Sequence, residues 1–464
     1  MATHDSHHSS HRKPHVLIVG AGLGGLFLGH LLDRQGVSYE IFERSDSVKP
    51  RGSVTTLSPN ILPALEQLDM YEEVKAASLP SKGMSIHKGH KGNLELVSTI
   101  TDDDKELGYE HLHFSRPHLH EVFLNRIPTE KVYYNKKVTS VTQDDESATI
   151  TCSDGTSYKG DIVVGADGTY SGVREAVYAE LTKADLLPST DAESLKKGYI
   201  CLAGTTDPLD PEKYPVLKEN HAMLHHVIGD VKNYVWSAVN IPGNRISWNS
   251  IHHLREHEED TLQNAEWGPG ASEEMIEDVR DFLVPYGCTL GDLIDATPKE
   301  NISRVFLEDK VFKTWSYKRV VLIGDACHKL LPSAGQGAVN ALQDSIVLAN
   351  CIYDIESLST EGISAALDEY YDQRYVHVVE QYNASNVTEK IVYGHKFYDR
   401  VVRHVVFHFL PKSAVDKKLA KNHAYRPQVT FLPQVPTRGT GPVLPQKPSK
   451  RYQREQKRAS SQPA

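Results

Sequence analysis

The chain is poor in cysteine: five residues in 464, Cys152, Cys201, Cys288, Cys327 and Cys351. They are odd in number, scattered, and never in C-x-x-C spacing. That excludes a disulfide framework and a zinc site, and it points to a reducing compartment, the cytoplasm. Sequons such as Asn383-Ala384-Ser385 then carry no information. No run of 18 apolar residues occurs, so no membrane-spanning helix is expected. An excess of positive charge is also missing. The net charge is −10 and the pI about 6.2, which argues against nucleic acid as a partner. Residues 1–14 are rich in His and Ser, including His4, His7, His8 and His11, but lack an apolar centre. They read as a disordered, solvated tail, neither a signal peptide nor a metal site.

What remains is a globular composition, 39% hydrophobic and 24% charged, long enough for two or three domains. Val16-Leu17-Ile18-Val19 reads as a buried parallel strand. Gly20, Gly22 and Gly25 follow in G-x-G-x-x-G spacing, then a helix over Leu26–Gln35 and a second strand over Ser38–Phe42. In that setting the first glycine permits the tight turn, the second lets backbone approach a pyrophosphate, and the third lets helix pack on strand. Free N–H groups and the helix dipole favour the anion. Glu43 lies 18 residues after Gly25, placed to accept hydrogen bonds from a ribose. An acid there suits FAD or NAD better than NADP.

Two further strand–turn–helix units share this pattern. Asp161-Ile162-Val163-Val164-Gly165-Ala166-Asp167-Gly168 leads into a helix opened by Ser171-Gly172-Val173-Arg174. The strand Val320–Ile323 leads into Gly324-Asp325-Ala326-Cys327-His328, and the small residues through Gly337-Ala338 precede a helix over Ala341–Tyr353. Backbone amides there can approach a planar, anionic group, and Asp325 suits a ribose-type hydroxyl. One ligand touched by both ends of such a chain is a large cofactor.

Together, and in this order, the three motifs resemble the single-component FAD-dependent monooxygenases of the para-hydroxybenzoate hydroxylase type, in particular fungal members acting on polyketide, terpenoid or aromatic compounds. The resemblance covers roughly residues 14–180 and 300–395. It implies that Glu43 binds the adenosine ribose, Asp325 the ribityl chain, and the N–H groups of Gly337 and Ala338 the pyrimidine end of the flavin. Arg116, in Ser115-Arg116-Pro117-His118-Leu119, matches an FAD-contacting arginine, and Gly52 a loop glycine near the flavin. Asp167 would serve FAD and a transient NADPH or NADH. Pro332 would shape the face where oxygen reacts. His328 falls where the family carries a structural histidine, and Cys327 where it mostly carries a small residue. The implied cycle reduces FAD with NAD(P)H, forms a flavin C4a-hydroperoxide with O2, and inserts oxygen as a hydroxyl or an epoxide into a small hydrophobic or aromatic substrate.

The implied fold is α/β: a Rossmann-like FAD-binding domain with a mostly parallel sheet, an inserted antiparallel substrate sheet, and a C-terminal helical segment. The expected division gives residues 15–82, 109–181 and 306–395 to the FAD domain, and 83–108 and 182–305 to the substrate domain. Residues 396–424 form the C-terminal helical segment, and 425–464 an extended or disordered tail. Alternating stretches at Tyr199–Leu202, His221–Val227, Tyr234–Val239 and Arg245–Ile251 are the expected roof strands. Tyr234 is the candidate substrate-contacting acid, and Tyr199, Trp236 and Trp248 are candidate pocket residues. With no second G-x-G-x-x-G, nicotinamide has no domain of its own. Residues 393–410 read as a packed amphipathic helix, with contact to a membrane surface as the other reading. Three rivals stand beside the monooxygenase: a flavin halogenase, whose W-x-W-x-I-P signature is absent, a flavin reductase or dehydrogenase, and a non-catalytic flavin-binding protein.

Overall fold

The computed structural model describes residues 12–47, 53–90, 92–102, 104–229, 234–254, 273–394, 397–409 and 411–461. Of the expected tail at residues 1–14, residues 1–11 lie outside the described residues, as does Gly52, while Arg12 pairs with Asp161 and Pro14 is buried, so the last three are docked. The first apolar run is the strand His15–Val19, at the centre of a six-stranded sheet. The order across this sheet is Ser316–Tyr317, Val320–Leu322, Ile162–Gly165, His15–Val19, Ser38–Phe42, Val132–Tyr133. All neighbours run parallel except the first pair. Strands buried on both faces need unbroken apolar sequence, and Val16, Leu17, Ile18, Ile162, Val163, Val164 and Val321 are fully buried. One face is covered by the helices Leu23–Gln35 and Gly337–Tyr353, which pack together where Gly24 leaves Ala341 only van der Waals room.

The second large sheet has the order His328–Lys329, Ser303–Val311, Lys196–Thr205, Arg245–His253, Tyr234–Ile241, Ala222–Gly229, Leu79–His90, Leu112–Ser115, Val54–Leu57, with Asn93–Thr101 hydrogen-bonded to Leu79–His90. The two inserts thus join into one roof, but two expectations need correcting. The pairing of Ala222–Gly229 with Leu79–His90 is parallel. The roof also takes strands at 54–57, 112–115 and 303–311 from stretches assigned wholly or partly to the FAD domain, because a sheet's edge is extended by whichever strand can hydrogen-bond to it.

The tail also departs from expectation. Residues 425–449 run irregularly yet dock against the body: Val429 is fully buried and Arg426, Thr430 and Phe431 nearly so. Gln67 bonds the amide of Val429 and the carbonyls of Val429 and Pro433. A final helix, Lys450–Ser460, is capped by Ser449. The Pro- and Lys-rich composition hid the few apolar anchors that hold the segment.

Candidate functional site

The three motifs leave the carboxyl ends of three adjacent parallel strands, Val320–Leu322, Ile162–Gly165 and His15–Val19, with Glu43 at the end of the next. That edge is where open α/β sheets bind ligands. Gly20 has φ +107°, and a Cβ there would sit 2.5 Å from the Ala166 carbonyl oxygen; one on Gly25 would sit 2.1 Å from that of Gly20. These two glycines are required by the protein itself. Gly168 is required by its own backbone, at φ +83°, but Gly22 and Gly337 differ: a Cβ on either would meet nothing within 4 Å. Glycines that no neighbour requires are explained by a ligand that approaches backbone.

The side chains hold this edge in place. Glu43 accepts from the amide of Ala21 at 3.0 Å and from that of Ser45 at 2.9 Å, so its carboxylate lies against the glycine turn. His120 contacts the Ala21 carbonyl at 2.6 Å. It sits one turn after Arg116 on the helix Arg116–Leu124 and was not foreseen, although that spacing could have shown it. Arg116 has an exposed surface, yet burial is the main influence lowering its guanidinium from the usual value, opposed by Asp325. Both hold for a side chain lining a deep, wet concavity. Asp325 is in the same position. Burial pushes its carboxyl up, but Lys329, ion-paired to it, and then His328 and Arg116 hold it below the usual range. Thr169 donates to Asp325 at 3.3 Å and joins the second and third loops. Arg174 ties them again, bonding the carbonyls of Ala326 and Thr169 at 2.9 Å each.

Asp167 accepts from the Val173 amide at 3.2 Å through Oδ2, while Oδ1 is buried without a partner. Burial raises its carboxyl above the ordinary value, against hydrogen bonds from Ser171 and Val173. Gly337 and Ala338 open a 17-residue helix that no side chain caps, so their N–H groups are free to donate. The open glycines, the orphaned Asp167 oxygen and the uncapped helix fit a bound FAD.

Behind the third loop is a buried ionic knot that sequence reading missed. Asp344 accepts from the Gly324 amide at 2.8 Å, pairs with His328 at 2.6 Å and with Arg374 at 2.7 Å. Burial opposes its charge, but His328 and Arg374 outweigh it and hold the carboxyl low. Cys327, His328 and Asp344 lie close enough to ligate a metal ion. Burial raises the Cys327 thiol strongly and Arg374 already claims the carboxylate, so the cluster is a brace for the loop.

Over the floor, the roof has two distinct faces. Tyr199, Cys201, Ala203, Val235, Ile251 and Leu307 cluster with Leu331 of the third loop and Val392 of the long helix Thr360–Tyr393, so this face looks at the floor. Beside them His226, Ser237 and Asn249 stand in register on three neighbouring strands. His226 Nδ1 lies 2.5 Å from Ser237 Oγ, and Asn249 Oδ1 is buried without a partner. Tyr234, Trp236 and Trp248 point the other way, packing with Val279, Leu290 and Leu293 of the outer layer. Tyr234, expected to contact substrate, instead reaches Asp278 at 3.2 Å and lies against His252 and Phe282. Of the aromatic candidates, Tyr199 alone faces inward. A cleft of about 530 Å³ between Arg12, Asp161 and Arg319 lies at the opposite, amino ends of the strands and gathers none of these residues.

The family described as FAD binding domain matches residues 13–194 and 288–384. The FAD-dependent monooxygenase ptmM of Penicillium ochrochloron is 30% identical over 389 residues, 80% of this chain and 87% of that protein. The FAD-dependent monooxygenase ausM of Aspergillus calidoustus is 27% identical over 440 residues, 92% and 90% of the two. Among solved structures, Klebsiella pneumoniae HpxO complexed with FAD and uric acid superposes with a TM-score of 0.71 at 20% identity, covering 89% of this chain and 97% of its own. A salicylate hydroxylase substrate complex gives 0.67 at 18%, covering 90% and 96%.

Proposed function

We propose, for a chain that belongs to the FAD-binding-domain family and is an FAD-dependent monooxygenase, that it uses NADPH or NADH and O2 to hydroxylate or epoxidise a small hydrophobic or aromatic molecule. The observation that carries this reading is the convergence of three glycine-opened loops at adjacent strand ends beneath a largely apolar roof face. Bound FAD would accept a hydride from the nicotinamide and pass its electrons to O2, the chemistry that side chains lack.

The residues of the chain would bind, orient and exclude water. Glu43 would hold the adenosine ribose, Gly20, Gly22 and Gly25 the pyrophosphate, and Asp325 the ribityl chain. Gly337 and Ala338 would donate N–H groups to the pyrimidine end. Arg116, lining the same concavity as Asp325, would balance negative charge. Asp167, with one oxygen orphaned, would take a donor from FAD or from the transient nicotinamide. The apolar inner roof would keep the reacting centre dry. His226, Ser237 and Asn249 would read a polar group on the substrate, and Asn249 Oδ1 asks for a donor.

Two partner readings go with this. All five cysteines are free thiols, which suits the cytoplasm. No helix among the described residues is long and apolar enough to cross a membrane. The helix Phe397–Phe409 nevertheless turns Tyr398, Val401, Val402, Val405 and Phe409 to solvent, against the expectation of a packed apolar face. Arg400 on the same helix is exposed, as are Lys417, Lys418 and Lys421 on the helix that follows in sequence, Lys412–Asn422. The apolar stripe would rest on an anionic bilayer surface, where a lipophilic substrate partitions. Oxygen uptake coupled to product, with NADPH or NADH as donor, tests the main reading. Flavin reduction with no substrate-linked oxygen uptake would instead mark a reductase.

A further inference from the structure

The long helix Thr360–Tyr393 presents one buried stripe along its length: Tyr370, Arg374, Val378, Ser385, Glu389 and Val392. Its first half is locked to the helix Gly337–Tyr353 through Arg374 and Asp344. Its last turns reach beyond that contact. The Ser385 carbonyl accepts from Ser333 Oγ at 2.9 Å, which sets that turn against the Pro332–Ala334 loop. Val392 packs with Leu331, Tyr199, Cys201, Val235 and Ile251, the inner face of the roof. Glu389 lies between them, four residues after one and three before the other, on the same side of the helix.

Glu389 is a carboxylic acid in an apolar setting, with 9% of its surface accessible. No hydrogen bond to it is found among the described residues. Among the described residues, the charged groups that act on it are Lys390 on its own helix and Asp399 on the next, where Arg403 is bound to the carbonyls of Ile391 and Gly394. On the loop and the roof, Ser333, Tyr199 and Cys201 belong to this side. Burial first, with Asp399 adding and Lys390 opposing, pushes the carboxyl up to about 7. A buried acid left unpaired costs stability and is retained where function needs it.

We propose that Glu389 is the proton acceptor for a weakly acidic hydroxyl on the substrate, a phenol or an enol, in the gap between the third loop and the roof. This rests on the oxygenase reading above and narrows its substrate class. The substrate O–H bond breaks and a carboxyl O–H bond forms. The electron pair stays on the substrate oxygen, which feeds it into the carbon to be oxygenated. No electron passes to or from the flavin in this step.

The test uses the full-length, FAD-loaded protein in two arms. In the first, dicyclohexylcarbodiimide, which attacks protonated carboxyls in apolar surroundings, is applied at about pH 6 and about pH 9 with and without 2-naphthol, and labelled peptides are read by mass spectrometry. Labelling at Glu389 should exceed that at exposed Glu380, weaken at the higher pH, and be blocked by 2-naphthol. Labelling no faster than at Glu380, or indifferent to 2-naphthol, overturns the proposal. In the second arm, wild type, E389Q and E389D are given NADPH or NADH, O2 and a series of phenols. E389Q should lose product on the order of 100-fold, E389D less. FAD content and nicotinamide-driven reduction should stay within about twofold, oxygen leaving as hydrogen peroxide. An E389Q enzyme that matches wild type in rate and pH profile overturns the inference alone. A wild type that takes up no oxygen with any phenol also overturns the inference, whereas a bound flavin that neither NADPH nor NADH reduces overturns the oxygenase reading beneath it.

Discussion

At the ends of His15–Val19, Ile162–Gly165 and Val320–Leu322 the site is made of backbone, whereas across the gap, on Lys196–Thr205, Tyr234–Ile241 and Arg245–His253, it is made of side chains. On the floor, turn geometry dictates residue identity: Gly20 and Gly25 cannot be anything larger, and Glu43 must reach the Ala21 amide. On the roof, hydrogen bonding fixes only the register, and any apolar residue of suitable size would keep the sheet. A floor built this way holds one cofactor across many proteins. A roof built this way can be re-lined for a new substrate without disturbing it.

The strongest way to break this contrast is at the brace under the floor. Asp344→Asn leaves His328 and Arg374 buried without a counter-charge and should cost about 3–5 kcal/mol, read by thermal or denaturant unfolding. Next, the glycines of the first turn should separate. Gly25→Ala forces a clash with the Gly20 carbonyl and should lower stability by about 1–3 kcal/mol and abolish flavin retention. Gly22→Ala has room in the protein, so it should unfold as wild type does while losing FAD affinity about tenfold or more, read by flavin fluorescence on release. Equal effects of the two substitutions would remove the distinction between glycines the fold requires and glycines the ligand requires.

This asymmetry also explains what could be read in advance. The glycine spacing, the acid after the second strand and the two later acids were legible because each answers a local geometric demand. The direction of Tyr234 was not. All eight residues of Tyr234–Ile241 are buried, so alternation along the strand does not tell the floor side from the outer side. Glu389 was invisible because a glutamate in a helix usually faces water, and only its neighbours Ser385 and Val392 give its direction away. The amphipathic period of Phe397–Phe409 was visible, but a period does not say what covers the apolar side.

Two smaller effects sharpen the contrast. Glu389 has its carboxyl raised to about 7, so its contribution to stability is fully present below the ordinary glutamate range and is lost as pH rises through about 7. The melting temperature of wild type should therefore fall relative to that of E389Q across that interval, with the two converging in acid. A constant offset at all pH values would mean the group titrates normally. Smallest is Tyr234→Phe, which loses one outer-layer hydrogen bond, about 1 kcal/mol, and should leave KM and kcat unchanged. Ser237→Ala or Asn249→Ala, on the inner face, should instead shift KM. A kcat lost with Tyr234→Phe would reverse the assignment of the two faces.

The most direct test of the account is anaerobic titration of the purified protein with NADPH and with NADH, followed in the visible flavin band, and then admission of oxygen. The account predicts a flavin band already present, bleached by one of the two nicotinamides and restored by oxygen. A protein that carries no flavin, or whose flavin neither nicotinamide bleaches, would contradict it.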